Sequence, residues 1–292
     1  MEIWLQQLLI GLSVGTIYAL IALGYTMVYG VIKLINFAHG EVFMIGAFAG
    51  YYALTAWGLG FFPALLFAMA VSSVLGVTIE RVAYRRLRNS PRLAALTTAI
   101  GVSLFLQYVT IYLRGAQSEA YPALLPNRRL ELMGASLRMD TVVLLAVAVA
   151  LMVLLQFIVH RTKVGKAMRA VSFDMEAARL MGISVNRTIS ATFAIGSALG
   201  GAAGVIYGLY YTRIDPLMGI LPGLKAFVAA VLGGIGSIPG AMVGGLVIGM
   251  VETLVSAAGL SLFRDAAAFL ILILILLFRP EGLFGRHMPE KV

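Results

Sequence analysis

Three polar side chains lie within one of the most apolar stretches of this 292-residue chain. The segment LINFAHGEVFMIGAF, residues 34–48, contains Asn36, His39 and Glu41. A histidine beside a carboxylate could serve acid–base or metal chemistry, or bind a polar solute. A zinc site is not favoured, because HGE lacks the second histidine that H-E-x-x-H supplies one helical turn away. Two uses remain open: the residues line a solute path, or they satisfy an interrupted backbone.

Other short motifs lack the context that catalysis needs. GLSVG at residues 11–15 fits the G-x-S-x-G pattern, but it lies inside an apolar helical segment rather than at a strand–helix turn. GIGS at residues 234–237 would need a nearby base to act as a protease, and its sequence neighbourhood has none. No G-x-x-x-x-G-K-[ST] sequence occurs, so ATP that drives this protein must bind another chain. We expect neither an enzyme nor a bound cofactor or metal.

The composition indicates a helical protein that crosses a membrane many times. Hydrophobic residues make up 61% of the chain and charged residues 12%, whereas soluble domains carry about 25% charged residues. We therefore predict an all-α polytopic membrane protein, with about 8–10 transmembrane helices in a single domain over residues 1–292. The predicted segments are 5–30, 41–57, 62–80, 93–113, 141–159, 190–211, 222–234, 239–258 and 263–279.

Charge predicts the orientation of these segments. Loop 81–92 has five Arg and no acidic residue, loop 160–189 has six Lys or Arg, and the tail after residue 278 has three. Because basic loops stay in the cytoplasm, we place these segments inside and the N-terminus outside. The net charge of +9 is explained in this way, without a nucleic-acid partner. The 32 glycines, several of them at small-xxx-small spacing, predict closely packed helices.

Two stretches combine helix breakers with polar residues inside the membrane part of the chain. KLINFAHGE contains Gly40, and GGIGSIPGA contains Gly236, Pro239 and Gly240. Broken helices are tolerated in a membrane where they are buried in protein or line a cavity. Each stretch precedes a glycine-rich segment, GEVFMIGAFAG or GAMVGGLVIG, and this pattern favours an internal duplication with inverted halves.

Ionisable residues inside predicted membrane helices are functional candidates, because their burial is costly. Glu252 lies within segment 239–258 and is predicted to face the bundle interior. A structural role is the alternative for the residues of the first break. In it, they satisfy the hydrogen-bonding groups of the broken backbone, or Glu41 neutralises Lys33. The candidates for a translocation path are Asn36, His39, Glu41 and Glu252.

The loop KVGKAMRAVSFDMEAARLMGISVNRT carries signals for a short helix at the cytoplasmic face. Ser172 is predicted to cap this helix, with Asp174 and Glu176 in its first turn. Gly182 is predicted to end it as a left-handed residue. A helix of about ten residues would be marginal in water by itself. We therefore expect it to dock in a groove on another protein or to lie on the membrane surface.

EAARLMGI, which begins at Glu176, resembles the coupling sequence of bacterial ABC-transporter permeases. GYTMVYGVIKLINFAHGEVFMIGAF, GLKAFVAAVLGGIGSIPGAMVGGLVIGMVETL and FRPEGLFG resemble the H-type permease subunit of branched-chain amino-acid (Liv-type) ABC importers. With their spacing, these motifs cover nearly the whole chain. The Ile-x-Leu-Pro ending of the wider ABC consensus is not recognisable after Gly182. The resemblance implies a coupling loop at about 160–189 with the candidate residues Arg169, Glu176, Ala177, Ala178 and Gly182.

The resemblance implies a permease subunit in the inner membrane of a bacterium. Its implied partners are a second related permease, two ATP-binding cassette subunits that hydrolyse ATP, and a periplasmic or lipid-anchored substrate-binding protein. The implied cargo is branched-chain or related amino acids. A permease for urea or short-chain amides is an alternative, and a stand-alone secondary transporter is a less favoured one. No charged pair that would select among these cargoes is evident, and Asp265, next to Arg264, is predicted to be an interfacial anchor.

Overall fold

The computed structural model describes residues 2–88, 90–123, 129–132 and 135–285. They form a bundle of α-helices with two short antiparallel β-ribbons, β1 with β4 and β2 with β3. A π-helix at Glu80–Tyr84 follows α3, and a 3₁₀ turn at Ser261–Phe263 precedes α12. The elements are α1 Glu2–Ile32, α2 His39–Thr55, α3 Phe61–Ile79, α4 Arg85–Leu87, α5 Arg92–Arg114, β1 Glu119–Ala120, β2 Arg129–Leu132, β3 Ala135–Arg138, α6 Met139–Arg161, α7 Lys163–Phe173, α8 Met175–Leu180, α9 Val185–Tyr211, β4 Arg213–Ile214, α10 Ile220–Gly233, α11 Ile238–Ala257 and α12 Arg264–Phe278.

The predicted polytopic all-α fold is confirmed. Within the described ranges, seven helical segments are long and apolar enough to cross a membrane. The other two predicted segments correspond to α2 and α10, which have 17 and 14 residues. At about 1.5 Å per residue, α10 is about 21 Å long, and this is less than the roughly 30 Å of a hydrocarbon core. The predicted segment 222–234 is therefore too short to span a full hydrocarbon core as a straight helix.

Glycine allows the central helices to approach at backbone distance, as the small-xxx-small spacing predicts. A Cβ on Gly15 of α1 would lie 2.8 Å from the Cα of Leu246 in α11. A Cβ on Gly46 of α2 would lie 3.0 Å from the carbonyl oxygen of Gly201 in α9. Because real Cβ atoms do not come this close to backbone, a larger residue at either position would push two helices apart. Dispersion contacts of this kind hold helices together where burial from water contributes little.

The bundle contains two units of three helices that have the same arrangement but run in opposite directions. α1 packs antiparallel to α11, and α9 packs antiparallel to α3. α2 packs on α9 and α3, while α10 packs on α1 and α11. The unit α1–α2–α3 therefore matches α9–α10–α11 with its direction inverted. The sequence-based pairing of the two glycine-rich segments is wrong, because α2 and α11 run in the same direction, and the counterpart of α2 is α10.

The three basic segments lie at one end of the bundle, as the charge pattern predicts. Arg88, after α4, donates to the Asn186 side chain at the start of α9 over 2.7 Å. A cavity of about 90 Å³ at the same end is lined by Gly30, Arg169 and Gly236, which come from α1, α7 and the α10–α11 turn. The tail follows the last helix at this end too, where the backbone N–H groups of two tail residues donate to the last carbonyls of α10.

At the opposite end, β1 pairs with β4 and closes the bundle. Tyr121, which follows β1, inserts its ring against α2 and α9, where Gly50 and Gly208 leave room for it. Its hydroxyl reaches the carbonyl oxygen of Ala47 at 3.4 Å. Burial raises the pKa of this phenol, so it remains protonated.

Candidate functional site

The first break lies between α1 and α2, and it ends earlier than the sequence indicates. Lys33 adopts a left-handed conformation with φ 57° just after α1, and α2 begins at His39. The predicted break residue Gly40 therefore lies in the first turn of α2 and does not interrupt a helix. Glycine is required at position 40 because the backbone there lies close to the backbone of Gly219. A Cβ on Gly40 would run into the carbonyl group of Gly219.

Both short helices begin deep inside the bundle. His39 at the start of α2 lies against Gly200, near the middle of the long helix α9. Gly219, which precedes α10, would place a Cβ 2.5 Å from the carbonyl oxygen of Gly40. The N-termini of α2 and α10 therefore meet at one level, and α10 runs towards the basic end while α2 runs away from it. Helix N-termini carry partial positive charge, so this level favours a negative group.

The negative group found there is Glu41, in the first turn of α2. One carboxylate oxygen accepts hydrogen bonds from the Gln107 amide at 2.6 Å and the Ser103 hydroxyl at 3.2 Å, both in α5. The other would lie 2.8 Å from a Cβ on Gly219. Glu41 thus joins α2 to α5 beside the start of α10. The alternative that it neutralises Lys33 is wrong, because Lys33 is exposed and lies over the Tyr29 ring.

His39 and Asn36 are packed inside the bundle, each with 1% of its surface exposed. The imidazole of His39 fits between Gly24 and Gly200, with its ring 5.1 Å from the Tyr25 ring in an edge-on arrangement. The Asn36 side-chain oxygen lies 3.1 Å from the Tyr84 hydroxyl. Both side chains therefore hold the break against neighbouring helices in this conformation.

The second break separates α10 from α11. Gly234 and Gly236 have φ of 99° and 97°, a conformation that side chains rarely adopt, so the prediction for Gly236 is confirmed. Pro239 and Gly240 were also predicted to break the helix, and this is wrong, because both lie in the first turn of α11. Proline is tolerated there since its missing N–H needs no partner, and the Ser237 hydroxyl accepts from the Gly240 N–H at 3.2 Å.

A buried ion cluster lies near the start of α10. The Lys225 ammonium is 2.7 Å from Glu252 of α11 and 2.6 Å from Asp265 of α12. The Tyr18 hydroxyl of α1 donates to the second oxygen of Glu252 at 2.9 Å. Lys225 and Glu252 are 3% and 2% exposed, so this pair is almost fully removed from solvent. The cluster therefore links four helices, α1, α10, α11 and α12, through their polar side chains.

This cluster corrects one sequence-based expectation and confirms another. Glu252 faces the bundle interior, as predicted. Asp265 is not only an interfacial anchor with Arg264, because it also pairs with Lys225. Lys225 and Glu252 form a buried charged pair, and sequence reasoning missed its cation. The available signal was a lysine inside an apolar segment, one segment before an equally isolated glutamate.

The loop between α6 and α9 contains two helices, of which the sequence predicted one. α7, Lys163–Phe173, was not anticipated, and the predicted ten-residue helix is the six-residue α8. Asp174 rather than Ser172 caps α8, accepting from the N–H groups of Glu176 and Ala177 at 2.9 Å. The prediction for Ser172 is wrong because Ser172 still belongs to α7, where its hydroxyl bonds the Arg169 carbonyl.

The end of α8 follows the prediction. Gly182 has φ of 80°, and the N–H groups of Gly182 and Ile183 donate to the last carbonyls of α8. Ala178 is buried against the bundle, while Glu176 and Ala177 are exposed. Three large apolar side chains near the helix, Phe173, Leu180 and Met181, are each more than 80% exposed. Arg169 is exposed as well and bonds the Val159 carbonyl oxygen.

Comparison with known proteins identifies the family. Residues 7–278 match the sequence profile of a family described as the permease component of branched-chain amino acid transport systems. The chain belongs to this permease family. It is 44% identical over 99% of its length to the high-affinity branched-chain amino acid transport system permease protein BraD of Pseudomonas aeruginosa, covering 98% of that protein. It is equally similar, with the same coverage, to LivH of Escherichia coli, which has the corresponding description.

A more distant relative of the permease is a probable branched-chain amino acid transport permease, LivH, of Methanocaldococcus jannaschii, which is 26% identical over 93% of this chain and 89% of that protein. Among solved structures, PsaBC from Streptococcus pneumoniae in complex with Fab matches with a TM-score of 0.50 and 12% identity, covering 98% of this chain and 94% of that one. This match concerns the fold alone. Seven apolar spans lie in the described part of the chain, and the permease is a multi-pass membrane protein.

Proposed function

We propose that this permease is a membrane subunit of an ATP-driven importer for branched-chain amino acids in the bacterial inner membrane. The observation that carries the proposal is the 44% identity, over nearly the whole chain, to permeases whose names state this transport. Two ATP-binding cassette subunits supply the energy, since the sequence lacks a phosphate-binding loop. A second related permease completes the membrane part, and a substrate-binding protein delivers the solute from outside. The whole chain acts as one permease domain.

The loop around α8 is the proposed docking element for an ATP-binding cassette subunit. Its exposed apolar side chains, Phe173, Leu180 and Met181, would bury substantial area in a protein groove. Exposed apolar groups of this size are characteristic of interaction sites. The basic residues of the same end, including Arg169, would keep the loop on the cytoplasmic side.

Transport would follow from relative movement of the two inverted units. Asn36, His39, Glu41 and Glu252 are each at most 2% exposed, so a solute would reach them only after α2 and α10 separate. We assign these four residues to the moving core, where they support the deep helix starts in the closed state. Their contact with solute belongs to the open state.

Gly182 offers a sharp test of the coupling role. A Cβ there would meet no atom within 4 Å, so a bulky side chain would project away from the permease towards a docked partner. We expect Gly182→Trp to abolish leucine uptake by the complex reconstituted with its ATP-binding cassette subunits and binding protein. Gly182→Asn is the control, because asparagine tolerates the left-handed conformation and has a small side chain. It should retain most of the uptake.

Two outcomes contradict the proposal. If Gly182→Trp transports leucine and hydrolyses ATP as the original complex does, α8 does not dock on the ATP-binding cassette subunit. If the original complex transports urea or acetamide in preference to leucine, isoleucine and valine, the assignment of cargo is wrong.

A further inference from the structure

The cytoplasmic end of α3 contains a short π-helix whose buried polar residues reach two different parts of the molecule. The π-helix covers Glu80–Tyr84, and the N–H of Arg85 donates to the carbonyl of Glu80. π-helical turns are rare and are found frequently at functional sites. Glu80 is 0% exposed and Tyr84 is 1% exposed, so both side chains point into the protein.

Glu80 is bonded to the start of α9, the helix that directly follows the coupling loop. Its carboxylate pairs with Arg85 at 2.9 Å and with Arg88 at 2.5 Å, and it accepts from the Ser190 hydroxyl at 2.8 Å. Arg85 also donates to Ser190 at 2.9 Å. Arg88 extends the network to Asn186, in the first turn of α9, at 2.7 Å. Because a buried charge is costly unless it is fully paired, this network resists being opened.

Tyr84 is bonded to the break at which α2 begins. Its hydroxyl lies 3.1 Å from the side-chain oxygen of Asn36 and 3.3 Å from the carbonyl oxygen of Ile35. Its ring packs on Phe193 of α9 with the centroids 5.4 Å apart. One turn of π-helix therefore touches both the helix that leaves the coupling loop and the loop that leads into the deep start of α2.

We propose that the π-helix Glu80–Tyr84 transmits movement of the coupling loop to the α1–α2 break, with Glu80 and Tyr84 as its two positioning residues. This inference rests on the proposed coupling role of α8. A shift of α9 carries Glu80 with it, since the clamp of two arginines, Ser190 and Asn186 holds as a unit. The π-helix then moves Tyr84, which displaces Asn36 and the start of α2. Neither Glu80 nor Tyr84 has to touch the solute.

The direct test measures whether the break responds to nucleotide. The chain has no cysteine, so Lys33→Cys introduces a single thiol at the exposed end of the break. The reconstituted complex carrying this change is labelled with a maleimide with and without ATP and vanadate. We expect ATP to change the labelling rate in this background. Adding Tyr84→Phe or Glu80→Gln should abolish most of that change, while adding Arg86→Gln, an exposed arginine of α4, should leave it intact.

A second measurement separates transmission from simple structural damage. Uptake per ATP hydrolysed should fall roughly tenfold in Tyr84→Phe, a size typical of coupling between sites, while complex assembly and basal ATP hydrolysis persist. If uptake, hydrolysis and assembly fall together in both variants, the residues are only structural and the inference is wrong. It is also wrong if Tyr84→Phe and Glu80→Gln keep the labelling change. If the Lys33→Cys complex itself shows no ATP-dependent uptake while the unaltered chain does, labelling at Leu34→Cys replaces it. Absence of uptake by the unaltered complex would refute the proposed function instead.

Discussion

Replacing Lys225 tests whether the buried ion cluster holds the permease core together. Lys225→Met fits a similar volume but leaves the carboxylate of Glu252 without its cation, while Asp265 keeps only Arg264, 3.5 Å away. Removing one partner of a buried pair costs about 3–5 kcal/mol. Glu252 retains the Tyr18 hydrogen bond and Asp265 is 40% exposed at its side chain, so water can solvate the latter. We therefore expect Lys225→Met to lower the free energy of unfolding by about 3 kcal/mol, near the lower end of this range.

Glu252→Gln should cost less, about 1–2 kcal/mol. Lys225 keeps Asp265 at 2.6 Å, and the amide oxygen of glutamine can still accept from Tyr18. In the double variant the stranded carboxylate of Glu252 is gone, so the two effects should not add. We expect the double variant to be more stable than the sum of the single losses predicts by about 1–3 kcal/mol.

The assay is the free energy of unfolding of the purified chain in mixed micelles, measured by circular dichroism as the denaturing detergent is increased. Asp265→Asn is the control on the half-exposed side of the cluster, and it should cost less than about 1 kcal/mol. Additive effects of the two main changes, within about 0.5 kcal/mol, would show that Lys225 and Glu252 do not interact. A greater loss of unfolding free energy from Glu252→Gln than from Lys225→Met would contradict the predicted order of the two effects.

Two further predictions concern the core around α2. Glu41→Gln should impair leucine uptake more than it impairs assembly of the complex. The change alters the charge beside the N-termini of α2 and α10 but keeps an oxygen that accepts from Gln107. Normal uptake by this variant would leave Glu41 with a structural role only. Gly46→Ala should destabilise the purified chain by about 1–3 kcal/mol, since its methyl group would collide with the backbone of Gly201. Gly101→Ala, where a Cβ meets no atom within 4 Å, should be neutral or stabilising by up to about 1 kcal/mol, and equal losses at both glycines would contradict the packing argument.

Local signals explain what the sequence predicted well. Long apolar runs identified nearly every membrane helix, because a helix satisfies its own backbone hydrogen bonds and needs only apolar side chains to lie in lipid. The basic loops predicted their common end of the bundle, and Gly182 predicted the end of α8, since both depend on residues close in the chain. The prediction for Pro239 and Gly240 failed because proline and glycine occur both at the start of a helix and at a break within one. Their presence alone does not distinguish the two cases.

The partners of the polar residues could not be predicted in the same way. Glu41 is close to Lys33 along the chain, yet its carboxylate accepts a hydrogen bond from Gln107 in α5. Lys225 and Glu252 come from different helices, and the π-helix residue Glu80 bonds Ser190, which is far away along the chain. Each of these pairs depends on how helices cross, and hydropathy carries no information on crossing geometry.

The sequence by itself determined the class of protein, the family, the approximate positions of the two breaks and the grouping of the basic segments. These properties follow from composition, charge and short motifs, in which neighbouring residues act together. Only the tertiary structure decided that α2 and α10 begin deep in the bundle and face each other, and that α2 corresponds to α10 rather than α11. The physical reason is that glycine contacts between distant segments, such as Gly40 with Gly219, set the depth and direction of each helix.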